Sequence, residues 1–352
     1  MVILVLGGTG AIGNYITKIL SLSGNDVYVT SRAERNSVNG ITFIKGDAHE
    51  IPFIKKICSQ RKYDCIIDFM CYRTDEFRDR IKFILSATEQ YFFLSSSRVY
   101  DYSDKAITED SIRLLDSSVD QIYLQSDEYA LAKARQENIL SMSSFHNWTI
   151  IRPYITYSNI RLQLGLYEKE RWLYRALRGK PILFSKDISK RSTSLTYGLD
   201  VAFIMSKMVG NVKTLGQAFN IVSPDSVLWE NILEIYLDTI ERKTGKRPIV
   251  HMCNTAIVPS GAEYQYKYDR MFDRIFDSAR ANIVIGERTN YTNVKDGLRK
   301  CLEEFIDQNR EWKQIDWKTE AIFDRISGVR DNLLGISGKK NKIKYLVYRN
   351  IY

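Results

Sequence analysis

Tyr129 and Lys133 stand four residues apart in "DEYALAKARQE", a spacing that puts both side chains on one face of a helix. A phenol is a poor base at neutral pH, with a pKa of about 10. A lysine one turn away and an oxidised nicotinamide ring nearby would both favour the phenolate. Such a pair can shuttle a proton for an alcohol being oxidised or a ketone being reduced. The chain has 22 tyrosines, so this spacing needs company before it means anything. A second piece is "YFFLSSSRVYD", an apolar run ending in Ser95, Ser96 and Ser97. A hydroxyl at the carboxyl end of such a strand can bond the reacting oxygen, although serines there also serve turns.

The third piece is at the start, in "VILVLGGTGAIGNYITKIL". Gly8-Thr9-Gly10-Ala11-Ile12-Gly13 matches GxGxxG, and Gly7, Gly10 and Gly13 also fit GxxGxxG. Between a strand and a helix, such glycines allow a sharp turn, close backbone approach to a pyrophosphate and tight helix packing. The helix start then directs free N–H groups at the phosphates. The end of the second strand holds Thr30, Ser31 and Arg32, where an acid would serve NAD. A serine and an arginine suit a 2′-phosphate instead, which tilts the expectation from NAD to NADP. Asp47 in "KGDAHE", with Ala48 beside it, is a candidate for the adenine amino group or for a cap. Phe69, closing the fourth strand, is expected to line the same site.

These pieces need a scaffold, and the first half of the chain supplies its pattern. Strands are expected at "VILVLG", "DVYVTSR", "ITFIKGD", "YDCIIDFM", "QYFFLSSS" and "WTIIRPYITY". Helical patterns lie between them, at "GNYITKILSLSG", "HEIPFIKKICSQRK", "TDEFRDRIKFILSAT" and "SDEYALAKARQENILSMS". Strands alternating with helices predict an α/β fold, a doubly wound parallel sheet with right-handed crossovers. Residues 101–125 read as polar and irregular. After Ile160 the character changes to amphipathic helices, among them "SVLWENILEIYLDTIERKTG", with Trp229, Ile232, Leu233, Tyr236, Leu237 and Ile240 on one face. Gly245 follows as its C-terminal cap. The expected organisation is a dinucleotide-binding domain at 1–158, a substrate lobe at 159–314 with some segments returning to the first domain, and an extension at 315–352.

Bulk properties exclude several classes. At 352 residues, 44% hydrophobic and 26% charged, the chain is of ordinary globular composition. No apolar run is long enough for a membrane helix, and the N-terminus lacks the basic start and cleavage site of a signal peptide. The five cysteines are odd in number, scattered and without CxxC spacing, so neither a metal site nor a disulfide framework is expected. A reducing cytoplasm follows as the expected setting. Net charge is +9, and five of those positives lie in the ending "GKKNKIKYLVYRNIY", which reads as a solvated or loosely docked basic tail.

Taken together, "LVLGGTGAIG", "KGDA", "FFLSSSRVY", "ITED", "YALAK", "IIRPYITY" and "GQAFNIVS" resemble an extended short-chain dehydrogenase/reductase of the NAD-dependent epimerase/dehydratase group. "RIFDSARA" and "VKDGLRKCLEEF" resemble its closing segment, so the resemblance runs to about residue 310. It implies Ser96, Tyr129 and Lys133 as the catalytic set, with Lys133 also on the nicotinamide ribose. Gly7, Gly10 and Gly13 would hold the pyrophosphate, and Pro153 and Ile155 would lie by the carboxamide. Dehydratases of the group carry Asp-Glu after the catalytic hydroxyl. Here Ser97 and Arg98 stand there, which disfavours dehydration and makes them candidates for substrate contact. Thr193 takes the place of a phosphate-binding arginine, so Arg191, Lys267, Arg270 and Arg274 become candidates for the diphosphate.

The resemblance implies a nucleotide-sugar substrate and a homodimer. Epimerisation, at C4 of the sugar, and reduction of a keto-sugar share one half-reaction and remain alternatives. A third reading, from another class, is a non-catalytic cofactor sensor or RNA-binding relative. The basic tail favours it and the Ser96, Tyr129 and Lys133 set opposes it.

Overall fold

The computed structural model describes residues 1–309, 312 and 314–350. The chain divides into two compact units, each built from several segments. The first comprises residues 1–158, 194–226 and 274–294, and the second 159–193, 227–273 and 295–352.

The first unit is a seven-stranded sheet. Its strands are β1 (Val2–Leu6), β2 (Asp26–Ser31), β3 (Ile41–Lys45), β4 (Tyr63–Asp68), β5 (Thr88–Leu94), β6 (Trp148–Pro153) and β7 (Gln217–Ile221). They lie in the order β7-β6-β5-β4-β1-β2-β3, and every pairing is parallel. The connecting helices are α1 (Gly13–Leu22), α2 (Ile51–Gln60), α3 (Thr74–Ser86), α4 (Tyr129–Ser141) and α5 (Gly198–Met208). Period-two alternation splits the apolar residues between two cores. Ile3 and Val5 join Ile16, Val29, Val201 and Phe219 on one side. Leu4 and Leu6 join Ile54, Phe77, Ile84 and Leu140 on the other. Both faces of the sheet are thus covered, as a purely parallel sheet requires.

Chain order reverses between β1 and β4, because β1 leads outward to β2 and β3 before the chain returns to β4. In such sheets ligands bind beyond the carboxyl ends of the strands at this switch point. The loops there are Gly7–Ile12 and Phe69–Cys71. Fit is tight at two glycines. Gly7 has φ +69°, a region costly to other residues. A Cβ on Gly13 would come within 2.6 Å of the Gly8 backbone, so α1 could not start where it does.

The second unit packs its helices with aromatic rings. Helix Trp229–Thr244 buries Trp229, Ile232, Leu233, Tyr236, Leu237 and Ile240, the face its sequence pattern predicts, and ends at Gly245 with φ 72°. Trp172 stacks on Tyr236 with ring centres 4.3 Å apart. The chain's end departs from the expected loose tail. Lys339–Asn350 is a helix, and its Tyr345 is fully buried with Tyr174, Trp317, Ala321 and Ile336. The charge run conceals aromatic anchors, Tyr345 in the cluster and Tyr348 packed against it. Residues 351–352 of that ending lie outside the described ones. Among the described residues no helix is long and apolar enough to cross a membrane, and the five cysteines are free thiols.

Candidate active site

At the switch point the first unit has a cavity of about 320 Å³, lined by Gly7, Thr9, Gly10, Ser31, Arg32, Asp47, Ala48 and Phe69, together with Thr30, Gly46, His49, Met70 and Cys71. Eight residues singled out in sequence therefore share one hollow. Ala11 and Ile12 lead into α1, where the Asn14 N–H donates to the Gly10 carbonyl at 3.1 Å and the Tyr15 and Ile16 N–H groups to that of Ile12 at 3.0 and 3.1 Å. The residues fit a dinucleotide on two observations. A Cβ on Gly10 would meet no protein atom within 4 Å, so packing does not require glycine there and the backbone stands open to a ligand. The Thr30 hydroxyl is also committed, accepting from the Gly7 N–H at 3.1 Å and fixing the first turn against β2. Ser31 donates to the Ala33 carbonyl at 2.8 Å and accepts from Arg35 at 3.3 Å, while Arg32 is exposed at the rim. Asp47 accepts from the His49 N–H at 3.0 Å.

Sequence reading missed the brace behind this rim. Arg80 is buried under it, donating to the carbonyls of Ala48 and His49 at 3.0 Å each, with its guanidinium 4.1 Å from the Tyr72 ring. Gly198 was also missed. A Cβ there would lie 2.4 Å from the Ala11 carbonyl, so α5 approaches the glycine loop only because residue 198 is glycine.

The three serines after β5 divide their roles. Ser95 donates to Glu137 at 2.5 Å and Ser97 to the Arg152 carbonyl at 2.8 Å, so both hydroxyls are spent inside the fold. Ser96 accepts from the Arg98 N–H at 3.2 Å, capping the turn Ser97–Val99. Its own proton is uncommitted among the described contacts. Tyr129 is the first residue of α4 and is 37% exposed. Glu128 caps that helix, accepting from the Ala130 N–H at 2.8 Å. Arg98 pairs with Glu128 at 2.7 Å and lies over the Tyr129 ring, 5.3 Å from its centre.

Lys133, one turn on, is buried. Its ammonium donates to the Met70 carbonyl at 3.3 Å and lies 4.6 Å from the Phe93 ring centre. Burial lowers its pKa, opposed by Cys71, Asp68 and Glu137. Asp68, at the end of β4, is raised by burial, and its oxygens accept from Tyr91 and from the Met70 N–H at 2.9 Å each. Pro153 closes β6. Ile155 follows with φ +34°, an uncommon conformation for a β-branched residue, of the kind that marks functional sites.

The arginines proposed for the diphosphate differ in setting. Arg270 is buried in the second unit, bonding the Gly165 carbonyl at 3.0 Å and Gln163 at 3.3 Å. Lys267 is exposed beside Tyr268, and Arg191 is half-buried next to the pair of strands Ser192–Thr193 and Val227–Leu228. In the first unit, Arg274 bonds the carbonyls of Asp101 and Tyr100.

A doubly wound parallel sheet with a hollow at its switch point, and Ser96, Tyr129 and Lys133 in the same unit, is a Rossmann-type architecture. The chain belongs to the NAD dependent epimerase/dehydratase family, whose model matches residues 3–221. It is thereby a member of the extended short-chain dehydrogenase/reductase superfamily. Solved structures share its fold. WbmH from Bordetella bronchiseptica, in complex with NAD+, aligns at 14% identity and a TM-score of 0.69, over 88% of this chain and 99% of that one. UDP-glucuronic acid 4-epimerase from Bacillus cereus, with NAD and a fluorinated UDP-glucuronic acid, gives 16% and 0.63 over 88% and 100%. dTDP-glucose 4,6-dehydratase from Bacillus anthracis, with NAD, gives 16% and 0.66 over 89% and 99%. A curated relative, the chloroplast stem-loop binding protein of 41 kDa b from Arabidopsis thaliana, is 25% identical over 249 residues. That match covers 65% of this chain and 61% of the relative.

Proposed function

We propose that the protein is an NAD(P)-dependent epimerase of a nucleotide-linked sugar, acting at a sugar hydroxyl carbon, C4. One observation carries this reading: Ser96, with its proton uncommitted, and the Tyr129–Lys133 pair belong to the unit whose strand ends form the dinucleotide hollow. Tyr129 takes the hydroxyl proton, Ser96 bonds the same oxygen, and Lys133 favours the phenolate. Gly7, Thr9, Gly10, Ala11, Ile12 and Gly13 hold the pyrophosphate, Asp47, Ala48 and Phe69 border the adenosine, and Pro153 and Ile155 border the carboxamide. The bound nicotinamide supplies the hydride store for the reaction. Ser97 and Arg98 in place of an Asp-Glu pair favour epimerisation over dehydration. Arg191 and Lys267 are candidates for the diphosphate, and a homodimer is the assembly that the resemblance implies.

Arg32 at the rim gives NADPH-dependent reduction of a keto-sugar standing as the alternative. A panel of UDP-, dTDP- and GDP-sugars incubated with NAD or NADPH and followed by NMR tests both. Stereochemical inversion at C4 without net cofactor turnover supports the epimerase. Stoichiometric NADPH consumption with a keto-sugar supports the reductase. Tyr129→Phe retaining full turnover would remove the acid/base assignment.

Binding of a structured RNA is a second reading, favoured by the stem-loop binding relative and by the exposed Lys339, Lys340 and Lys344 on one helix. Deleting residues 338–352 would also remove buried Tyr345. Charge reversal of those three lysines is therefore the cleaner test, read as lost retention of a stem-loop RNA in a gel.

A further inference from the structure

Lys133 is tied to the Met70 carbonyl and the face of Phe93. A different cation lies directly on Tyr129. The Arg98 guanidinium is 5.3 Å from the Tyr129 ring centre. It is held there by its 2.7 Å ion pair with Glu128, whose side chain is only 13% exposed. A cation over an aromatic ring is attracted to it, and a nearby positive charge favours ionisation of a phenol.

Several ionisable groups of the first unit are described near Tyr129. Arg98 comes from the turn after β5. Glu128 caps the helix and is also approached by the Tyr123 hydroxyl at 3.4 Å. Asp127 accepts from Thr74 and from Arg135. Lys133 has Asp68 and Cys71 near it. Of the two acids just before Tyr129, Asp127 is met by Thr74 and Arg135, and Glu128 by a helix-start amide and by Arg98. Such a carboxylate is favoured at a helix N-terminus. The ring is therefore left with a cation on its face while the adjacent anion is neutralised.

We propose that Arg98 is a positioning residue for Tyr129. It fixes the ring by stacking, neutralises Glu128 and stabilises the phenolate. This rests on Tyr129 being the acid/base, and it assigns to Arg98 a share of the activation otherwise given to Lys133 alone. The position is the one at which dehydratase relatives carry an acid, so the cation changes what that position does.

The test titrates the Tyr129 phenol without needing turnover. Phenolate absorbance near 295 nm is followed against pH in the NAD-loaded protein and in its Tyr129→Phe variant, and the difference isolates one of 22 tyrosines. Arg98→Gln should raise the midpoint by about one pH unit. Arg98→Lys should restore most of the shift, and Glu128→Gln, which keeps an oxygen for the helix cap, should lower the midpoint. A midpoint unmoved in Arg98→Gln, or moved equally by Arg98→Lys, overturns the proposal. If a sugar substrate turns over normally in Tyr129→Phe, the acid/base reading fails instead, which is a separate outcome. Where both hold, the acidic limb of the pH–rate profile moves with the midpoint.

Discussion

Arg152 and Glu137 meet fork to fork in the interior of the first unit, with Nε and Nη2 of the arginine 2.8 Å from the two carboxylate oxygens. Glu137 is on α4, two turns beyond Tyr129, and Arg152 is on β6, so the pair bolts the Tyr–Lys helix to the sheet. Ser95 also donates to Glu137, and Arg152 reaches on to the Tyr100 hydroxyl at 2.6 Å and the Glu109 carbonyl at 3.0 Å. Removing Glu137 leaves the buried Arg152 without a charge partner, which costs about 3–5 kcal/mol, whereas Glu137 without Arg152 keeps Arg113 at 3.2 Å. Glu137→Leu should lose that much in denaturant unfolding, and Arg152→Met less. The double variant should lose less than their sum, and additivity would show that the pair is not coupled.

Lys133 carries a cost that its replacement should reveal. Burial is the main reason its pKa is lowered, with Cys71, Asp68 and Glu137 opposing. The unfolded chain therefore holds this proton more tightly than the folded one. Stability rises with pH between the lowered folded value and the ordinary value of about 10.4. Lys133→Met removes that dependence, and Asp68, already raised by burial, takes up a proton in place of its lost neighbour. The variant should lose turnover yet melt roughly 3 °C above wild type at pH 7, about 1 kcal/mol for a unit of this size. The gap should close as pH rises towards 10. Calorimetry across pH 6–10 checks it, and a variant that melts lower throughout would overturn the account.

Much of this architecture is legible in the residues. Ile3 and Val5 against Leu4 and Leu6 announce a strand buried on both sides, and the Trp229–Ile240 stripe announces a helix with one covered face. β7 did not stand out, because Gln217 and Asn220 interrupt its apolar run. Nor did α5, whose Val201, Ala202, Ile204, Met205 and Met208 are buried on several sides and leave no single stripe. The glycine loop and the Tyr–Lys spacing are local, so sequence holds them. Glu137 with Arg152, Arg98 over Tyr129 and Arg80 behind His49 join different elements, and only the assembled sheet brings them together.

Cofactor choice is open to a direct measurement at the rim. Arg32 is exposed beside Ser31, whose hydroxyl is already engaged with Ala33 and Arg35. An exposed ion pair contributes about 1 kcal/mol at most. Arg32→Ala should therefore weaken NADP by up to about fivefold and leave NAD within about twofold. Fluorescence titration of both cofactors reads the ratio. A wild-type protein that prefers NAD, with Arg32→Ala unchanged for both, would remove Arg32 from cofactor selection.

The last prediction concerns the second unit, where Glu320, Asp324 and Asp331 bring carboxylate oxygens within 4.8 Å of one another. Such a trio resembles a metal site, but an ammonium is already among them. Lys180 Nζ lies 2.6 Å from Glu320, 2.8 Å from Asp324 Oδ2 and 2.8 Å from Asp331. Arg175 adds two contacts of 2.7 Å, and Tyr345 from the closing helix donates to Asp324 at 2.6 Å. Burial works against the Asp324 charge, but hydrogen bonds from Lys180, Tyr345 and Arg175 and the charge of Lys180 hold its pKa below the ordinary value. Its stabilisation is complete above about pH 4 and is lost as pH falls through the lowered folded value. Glu320 shifts upward through burial, so its share is instead lost as pH rises through that raised value. Lys180→Met strands the carboxylates and should cost about 3–5 kcal/mol at pH 7. Because those groups then protonate readily, the deficit should shrink towards pH 4. Urea unfolding at pH 7, 5.5 and 4 measures both effects. Should added divalent metal restore Lys180→Met to wild-type stability, the trio can hold a cation of either kind; should it not, the geometry serves the ammonium alone.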